Sequence, residues 1–376
     1  MRLFSDVASG VADPYLARAA ALADSARGAT APNPLVGCVV VRGGAIVGEG
    51  YHQRAGEPHA EVVALRAAGE TARGADVYVT LEPCGHQGRT PPCTDALIAA
   101  GVAQVVIGMP DPNPEAAGGA AALRAAGITV EFAQDAAPFE ELNAGWLHRV
   151  RTGSPMLTAK VGLSLDAHSA LAAGRRASMT GPSGREVTRR LRGASDAVLV
   201  SAATVIADDP ALTVRDEAGV LAERQPLRVV LVRDHVPQPE ARVFTDEAAP
   251  TLVLAVGADA GVCDFVPASI DVHVCTGNPL GDALASLGER GVGELLVEPG
   301  PRLLTALLEE RLVDRLVLVT AGGMAGPEAP QLFLGDAQHN GDALASLLVP
   351  VEAGIVGDVS VTVWEPVPGD TQRQGR

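Results

Sequence analysis

Helix-like and strand-like patterns take turns along nearly the whole of this 376-residue chain, and that alternation restricts its fold more than any other feature. A helical pattern from about His59 to Ala72 leads into the strand "DVYVTLE". The helix "TDALIAAG" then precedes the strand "QVVIGM", and "PEAAGGAAALRAAG" precedes "ITVEF". Repeated crossovers of this kind imply a largely parallel sheet covered by helices. Ahead of them, "PYLARAAALADSAR" has apolar positions at helical spacing, and "NPLVGCVVV" and "AIVGEGY" flank "RGG" as a hairpin. The helix "APFEELNAGWLHRV" closes the unit near Val150.

A polar Gly/Pro joint, "RTGSP", follows at 151–155, and strands then resume at "MLTAKVGLS", "DAVLVS", "LRVVLV", "TLVLAV", "IDVHVC", "ELLVEPG" and "RLVLVT". The length exceeds most single cores, so two α/β domains are expected, residues 1–152 and 153–376. Aromatic residues are only 3% of the chain, which leaves Val, Leu, Ile and Ala to build both cores. Buried parallel strands use those residues.

A formal charge of −16 argues against a nucleic-acid partner, because such affinity is carried by Lys and Arg. A small phosphorylated substrate held by a few local cations stays compatible with it. No stretch approaches the ~20 apolar residues of a membrane span, and the N-terminus lacks the apolar run of a secretion signal. Five cysteines are a poor disulfide framework, and a reducing cytoplasm is the expected home. A homo-oligomer without membrane partners is expected.

"GEPHAEVVAL", residues 56–65, places His59 and Glu61 at a helix start. An early Glu there also serves the helix dipole, so the pair alone admits an ordinary structural explanation. Downstream, Cys84 lies at the carboxyl end of a predicted strand, where open α/β sheets place ligand crevices, and Cys93 lies just before the next helix. One imidazole and two thiolates suit Zn²⁺ and leave a fourth position for water. Glu61, two residues past His59, is placed to serve that water as proton carrier, an arrangement fit for hydrolytic deamination. A closed structural zinc site, with Cys38 or His86 as fourth ligand, is the competing assignment. Cys38 falls in the apolar strand "VGCVVV" and is expected to face the sheet core.

"HAEVVAL", "VTLEPC" and "TPPC" resemble the zinc-dependent cytidine deaminase superfamily, whose common pattern has two residues between the cysteines. The longer spacer "GHQGRTPP", with "PNPLVGCVVV", "GEGYHQRAGEPHAE" and "MPDPNP", resembles the deaminase half of bifunctional riboflavin-biosynthesis deaminase/reductases. That resemblance implies a cytidine-deaminase-like αβα domain and a diaminohydroxy-pyrimidinone substrate bearing a ribosylamino 5-phosphate. It assigns Asn33, His52, His86 and Arg89 to the base and phosphate, and Asp111 and Asn113 to the ribose side.

Of 29 basic side chains one is a lysine, Lys160, in the strand-like "MLTAKVGLSLD". A compact ammonium fits a tight pocket where guanidinium does not, although exposed strands also carry lysine. "SAATVIADDPALTVR" and "LLVEPGPRLLTALLEERLVDRLVL" resemble the reductase half of the same family. The resemblance implies a dihydrofolate-reductase-like α/β fold and NADPH as cofactor. It assigns Lys160, Asp208 and Glu298 to sugar ordering and proton transfer, and Arg176, Arg192, Leu212 and Arg215 to the substrate. Gly162, Ser178, Thr204, Asp208 and the turn Gly300, Pro301, Arg302 would touch the nucleotide. The chain departs from that pattern at Ala167, where glycine is usual, at Arg175, Arg176 and Ser178, and at Pro299 and Arg302.

The expected function is deamination of the phosphorylated pyrimidine followed by NADPH-dependent reduction of its ribosyl group. The alternatives are a deaminase whose diverged second domain no longer reduces, a nucleic-acid deaminase opposed by the acidic charge, and a non-catalytic zinc module.

Overall fold

The computed structural model describes residues 4, 7–85, 91–114, 116–169, 179–257, 266–329, 332 and 348–367. The chain divides into two compact units, Met1–Arg151 and Thr152–Arg376.

The first unit holds strands β1 (Gly37–Arg42), β2 (Ala45–Tyr51), β3 (Asp76–Leu81), β4 (Gln104–Met109) and β5 (Thr129–Phe132) in the order β2-β1-β3-β4-β5. β1 runs antiparallel to both β2 and β3, while β3, β4 and β5 are parallel. Its helices are α1 (Pro14–Asp24), α2 (Ala60–Ala68), α3 (Cys93–Ala100), α4 (Gly119–Ala125), α5 (Ala137–Leu142) and α6 (Ala144–Thr152). The period of two along the strands sorts the core into two layers. Cys38, Val40, Val77 and Val79 pack with Ala60, Ala64, Leu97 and Leu123 of α2, α3 and α4. Val39 and Val41 face Ala19 of α1, and Leu81 and Met109 pack with Leu16, Phe139 and Leu147. The result is the expected αβα sandwich, and Cys38 is a fully buried core residue.

Helix α2 presses on β2 so closely that a Cβ at Gly50 would strike the Ala60 carbonyl and the Ala64 amide. This seats the helix that carries Glu61. Three expected boundaries move. The helix from His59 ends at Ala68 and continues only as a 3-10 turn, Gly69–Ala72, because Gly69 takes φ +54°. The helix expected over 114–127 begins at Gly119, because Gly118 at φ +100° interrupts the helical path. The closing helix is two helices, α5 and α6, parted at Asn143. That side chain is buried and turned to the backbone of Leu35: it accepts the Leu35 N–H at 2.7 Å and donates to the Leu35 carbonyl at 3.0 Å.

The second unit has one nine-stranded sheet built from β6 (Met156–Leu163), β7 (Ala197–Ser201), β8 (Leu227–Val232), β9 (Thr251–Val256), β10 (Asp271–Cys275), β11 (Glu294–Val297), β12 (Arg315–Ala321), β13 (Leu348–Val356) and β14 (Val359–Pro366). Their order is β10-β9-β8-β7-β11-β6-β12-β14-β13. All neighbours from β10 to β12 are parallel, and β14 and β13 close the edge antiparallel. The helices are α7 (Gly181–Ala194), α8 (Ala202–Asp208), α9 (Arg242–Thr245), α10 (Pro279–Glu289) and α11 (Pro301–Glu309). The final hairpin lies outside the strands expected above, yet its signal is plain: Val359, Val361 and Val363 are buried and alternate with Ser360, Thr362 and Trp364.

Ala167, where related chains were expected to carry glycine, has φ +62°. The neighbouring Asp166 explains why the turn holds, since its carboxylate accepts the amides of Ala325 at 2.9 Å and Gly326 at 2.8 Å. Hydrogen bonds from Ser164 and from those two amides keep this carboxyl well below the usual carboxylate range. A left-handed alanine costs about 1–2 kcal/mol, partly offset by the ~0.4–1 kcal/mol that glycine loses through its freer unfolded chain. Ala167→Gly should therefore raise the unfolding free energy by about 0.5–1 kcal/mol, read by urea titration.

Candidate active site

Parallel strands β3 and β4 end beside each other, and the segments that leave them build the first site. His59 is the N-cap of α2 in extended conformation (φ −69°, ψ 159°). Cys93 is the first residue of α3, and Cys84 follows three residues after β3 ends. Their ligand atoms, His59 Nδ1 and the two sulfurs, lie within 4.8 Å of one another. His59 Nδ1 is 3.1 Å from Cys93 Sγ and 3.7 Å from Cys84 Sγ. The Cys93 amide donates to Cys84 Sγ at 3.3 Å, so the helix N-terminus favours negative charge on that sulfur.

Titration follows this geometry. The hydrogen bond from Cys93, helped by His59 and the Cys93 amide against burial, brings the Cys84 thiol down to about 4. The same hydrogen bond and burial push the Cys93 thiol far up. Two sulfurs this close favour a divalent cation between them, since metal ligands bind as thiolates. The hydrogen bond to Cys84 raises the His59 imidazole. Burial pushes the Glu61 carboxyl up; the residue is 3% exposed and hydrogen-bonds the Cys93 thiol. The donors are one nitrogen and two sulfurs, the mixed soft set that Zn²⁺ takes. Among the described residues no fourth His, Cys, Asp or Glu joins the group. Cys38 is excluded by its place in the core, and His86 lies outside the described residues.

Above the cluster is a cavity of about 690 Å³, lined by His59, Glu61 and Cys84 and also by Asn33, His52, Asp111 and Asn113. His52 bridges two walls: Asn33 Nδ2 is 3.0 Å from its Nε2 and the Pro58 carbonyl is 3.3 Å from its Nδ1. Nε2 must accept from the Asn33 amide, which leaves Nδ1–H to donate to Pro58. Burial lowers the His52 imidazole and keeps it in this neutral tautomer. Its ring meets that of His59 edge-on, with centroids 5.6 Å apart. Arg89 lies outside the described residues.

Four contributors went unseen in the sequence. Glu82, buried, accepts the amides of Asp111 (3.2 Å), Gly118 (3.2 Å) and Ala120 (2.9 Å), and so holds the loop that carries Asp111 and Asn113. Its signal was its place inside "VTLEPC". Trp146 and Arg149 of α6 also line the cavity; Trp146 is one of only two tryptophans, whereas nothing marked Arg149 among so many arginines. Asn143 fixes the loop bearing Asn33 from behind.

The second unit gathers charge at the carboxyl ends of β7, β11 and β6, which are adjacent. Arg192 of α7 grips Glu298, just past β11, through Nε at 2.6 Å and Nη2 at 3.0 Å. Its Nη1 donates to the Thr213 carbonyl at 3.3 Å. Lys160 of β6 belongs to the same cluster. Burial lowers its ammonium against the pull of Glu298. The Glu298 carboxyl, although burial opposes it, is held low by Arg192 and Lys160.

Other expected residues are spread around these strand ends. Thr204 lies in the first turn of α8, with its N–H 3.4 Å from the capping Ser201 Oγ. Asp208 ends that helix, exposed. Gly300 is the N-cap of α11, followed by Pro301 and Arg302. Gly162 sits in β6 facing Thr180. Arg215 donates to Thr213 Oγ1 at 3.3 Å and to the Gly219 carbonyl at 2.8 Å. The Leu212 side chain is 1% exposed, so only its backbone remains for a ligand. Arg176 and Ser178, with Arg175, lie outside the described residues.

The fold and the donor set define an α/β protein with a zinc-type deaminase centre at a sheet's carboxyl edge and a second α/β sheet domain with a charged cluster at its strand ends. Residues 11–109 match the cytidine and deoxycytidylate deaminase zinc-binding region, and residues 155–351 match the RibD C-terminal domain. The riboflavin biosynthesis protein RibD of Escherichia coli K12 is 46% identical over 326 residues, covering 84% of this chain and 89% of that protein. That of Haemophilus influenzae is 43% identical, covering 84% and 87%. The solved RibD of Acinetobacter baumannii superposes with a TM-score of 0.84 at 35% identity, over 94% of this chain and 98% of that one. A Thermotoga maritima diaminohydroxyphosphoribosylaminopyrimidine deaminase/5-amino-6-(5-phosphoribosylamino)uracil reductase gives 0.84 at 31% identity and the same coverage. The chain therefore belongs to the RibD family of bifunctional deaminase/reductases of riboflavin biosynthesis.

Replacing Glu82 by Gln turns an amide N–H₂ toward backbone donors. Glu82→Gln should lower stability by about 1–3 kcal/mol and raise the deaminase KM while zinc is retained, read by calorimetry, initial rates and metal analysis.

Proposed function

We propose that the N-terminal domain, residues 1–152, hydrolytically deaminates a 2,5-diamino-6-ribosylamino-pyrimidinone 5′-phosphate. The C-terminal domain, 153–376, then reduces the ribosyl group of the product to ribityl with NADPH. The observation that carries the first half is the packing of one imidazole and two sulfurs within 4.8 Å beside a buried carboxyl, at the floor of a cavity rimmed by amides.

His59, Cys84 and Cys93 would hold Zn²⁺, which when bound supplies the Lewis acidity that activates a water for attack on a ring carbon. Glu61 takes the proton released by that water at its carboxylate and passes it to the departing amino group, so that ammonia leaves and a carbonyl remains. A buried carboxyl with raised proton affinity suits both halves of this transfer. Asn33, oriented by His52, offers its amide to the pyrimidine edge, and Asp111 and Asn113 face the ribose side. Arg89 and His86 complete this set by family resemblance alone. Glu61→Gln should retain zinc and the fold but lower ammonia release on the order of 10²–10⁴-fold. Full activity in that variant would overturn the assignment.

In the second domain NADPH supplies the hydride. Nothing lies within 4 Å of a Cβ built on Gly300, so the turn before α11 has room for a nucleotide phosphate near the Arg302 amide. Lys160 and Glu298 order the sugar and move the accompanying proton. Arg192 holds Glu298 in place and shares the phosphate with Arg215. Lys160→Met should reduce NADPH consumption at least about tenfold while ammonia release continues, as a coupled two-wavelength assay would record.

A cytoplasmic home accords with the free thiols of Cys38, Cys84, Cys93 and Cys275. Among the described residues no helix is long and apolar enough to cross a membrane. The same reading includes self-association into a homo-oligomer.

A further inference from the structure

Gln225 stands outside every motif that marked the second domain, yet it holds one backbone position from both sides. Its Oε1 accepts the Val214 N–H at 2.7 Å, and its Nε2 donates to the Val214 carbonyl at 2.8 Å and to the Ala222 carbonyl at 2.9 Å. The Ala222 N–H closes on the same Val214 carbonyl at 3.0 Å. A primary amide presents a donor and an acceptor together, which a carboxylate or a guanidinium does not. Both residues lie between α8 and β8, in neither helix nor strand, so side-chain hydrogen bonds do here what a ladder does elsewhere.

The clamped position adjoins two residues that gather charge. Thr213, 8% exposed, accepts from two guanidiniums: Arg192 Nη1 reaches its carbonyl at 3.3 Å, and Arg215 Nε reaches its Oγ1 at 3.3 Å. Arg215 follows Val214 directly and is exposed. Two like charges brought to one residue repel, so the backbone beneath them has to impose their approach. Gln225 supplies that hold at Val214. Its neighbour Arg224 supplies another, donating through Nη1 to the carbonyls of Ser195 at 2.9 Å and Gly193 at 3.4 Å, where α7 ends just past Arg192. One short segment thus grips the chain beside both arginines.

We propose that Gln225 is a positioning residue of the reductase half: by clamping Val214 it fixes where the Arg215 guanidinium stands relative to Arg192, and so sets the affinity for the phosphorylated pyrimidine that is reduced. This rests on the reading of Arg192 and Arg215 given above. A clamp that served folding alone would leave KM untouched once the chain had folded.

The test supplies the full chain with the deaminated, phosphorylated intermediate and NADPH. Gln225→Glu keeps the length and the acceptor for the Val214 N–H but turns a second oxygen toward the Val214 and Ala222 carbonyls. KM for the intermediate should rise on the order of tenfold, with kcat, KM for NADPH and ammonia release within about twofold of wild type. In an Arg215→Gln background the same change should raise KM by less than about twofold, because its effect passes through that guanidinium. An unchanged KM for the intermediate in Gln225→Glu overturns the proposal. So does an equal rise in KM for NADPH, or a double variant in which the two effects multiply. Should Gln225→Glu not fold, Gln225→Met, which removes the hydrogen bonds without adding charge, is judged by the same KM values. Failure of both variants to fold makes the clamp a folding device and overturns the proposal equally. If the wild type consumes no NADPH with this intermediate, the reductase reading itself fails and this proposal with it.

Discussion

Two helix N-termini, those of α2 and α3, point at the carboxyl end of β3, and the first domain's chemistry depends on that convergence. Backbone amides there are unpaired by helix geometry and favour negative charge. The chain uses the position for sulfur: Cys93 is the first residue of α3 and its amide donates to Cys84. His59 caps α2 and brings a neutral donor to the same point, and Glu61 follows within the first turn. His59 meets Cys84 and Cys93 because β2 and β3, both antiparallel to the β1 between them, end on the same edge of the sheet.

The walls of the cavity are held by a different means, polar side chains that satisfy backbone groups of neighbouring loops. Glu82 gathers three amides, His52 links Asn33 to Pro58, and Asn143 pairs with both polar groups of Leu35. Loops held this way keep their shape without an apolar core of their own. In the second domain the comparable element is ionic: Arg192 closes on Glu298, and Lys160 shares their field.

The alternation of helix and strand was legible because it is written in local periodicity, and the cluster of His59, Cys84 and Cys93 because it is written in short motifs. What stayed hidden depends on tertiary partners. The break between α5 and α6 follows from Asn143 turning to a residue 108 positions away, and no local preference announces that. Gly118 stops α4 short through its own backbone, a signal present in "AAGGAA" but outweighed by the surrounding alanines. Leu212, assigned to a ligand by motif, has a buried side chain and a left-handed backbone at φ +52°, neither of which a local pattern announces. Arg149 and Glu82 are ordinary residue types whose importance is purely spatial. The edge hairpin β13–β14 was readable from its alternating valines.

The Asn143 clamp also carries a consequence for how the protein is made. One wall of the pocket belongs to residues synthesised early, near Leu35, and the groups that fasten it arrive more than a hundred residues later. A nascent chain can assemble the hairpin and the first crossover while still tethered to the ribosome. The wall near Leu35 therefore gains its fastening only when the closing helices emerge.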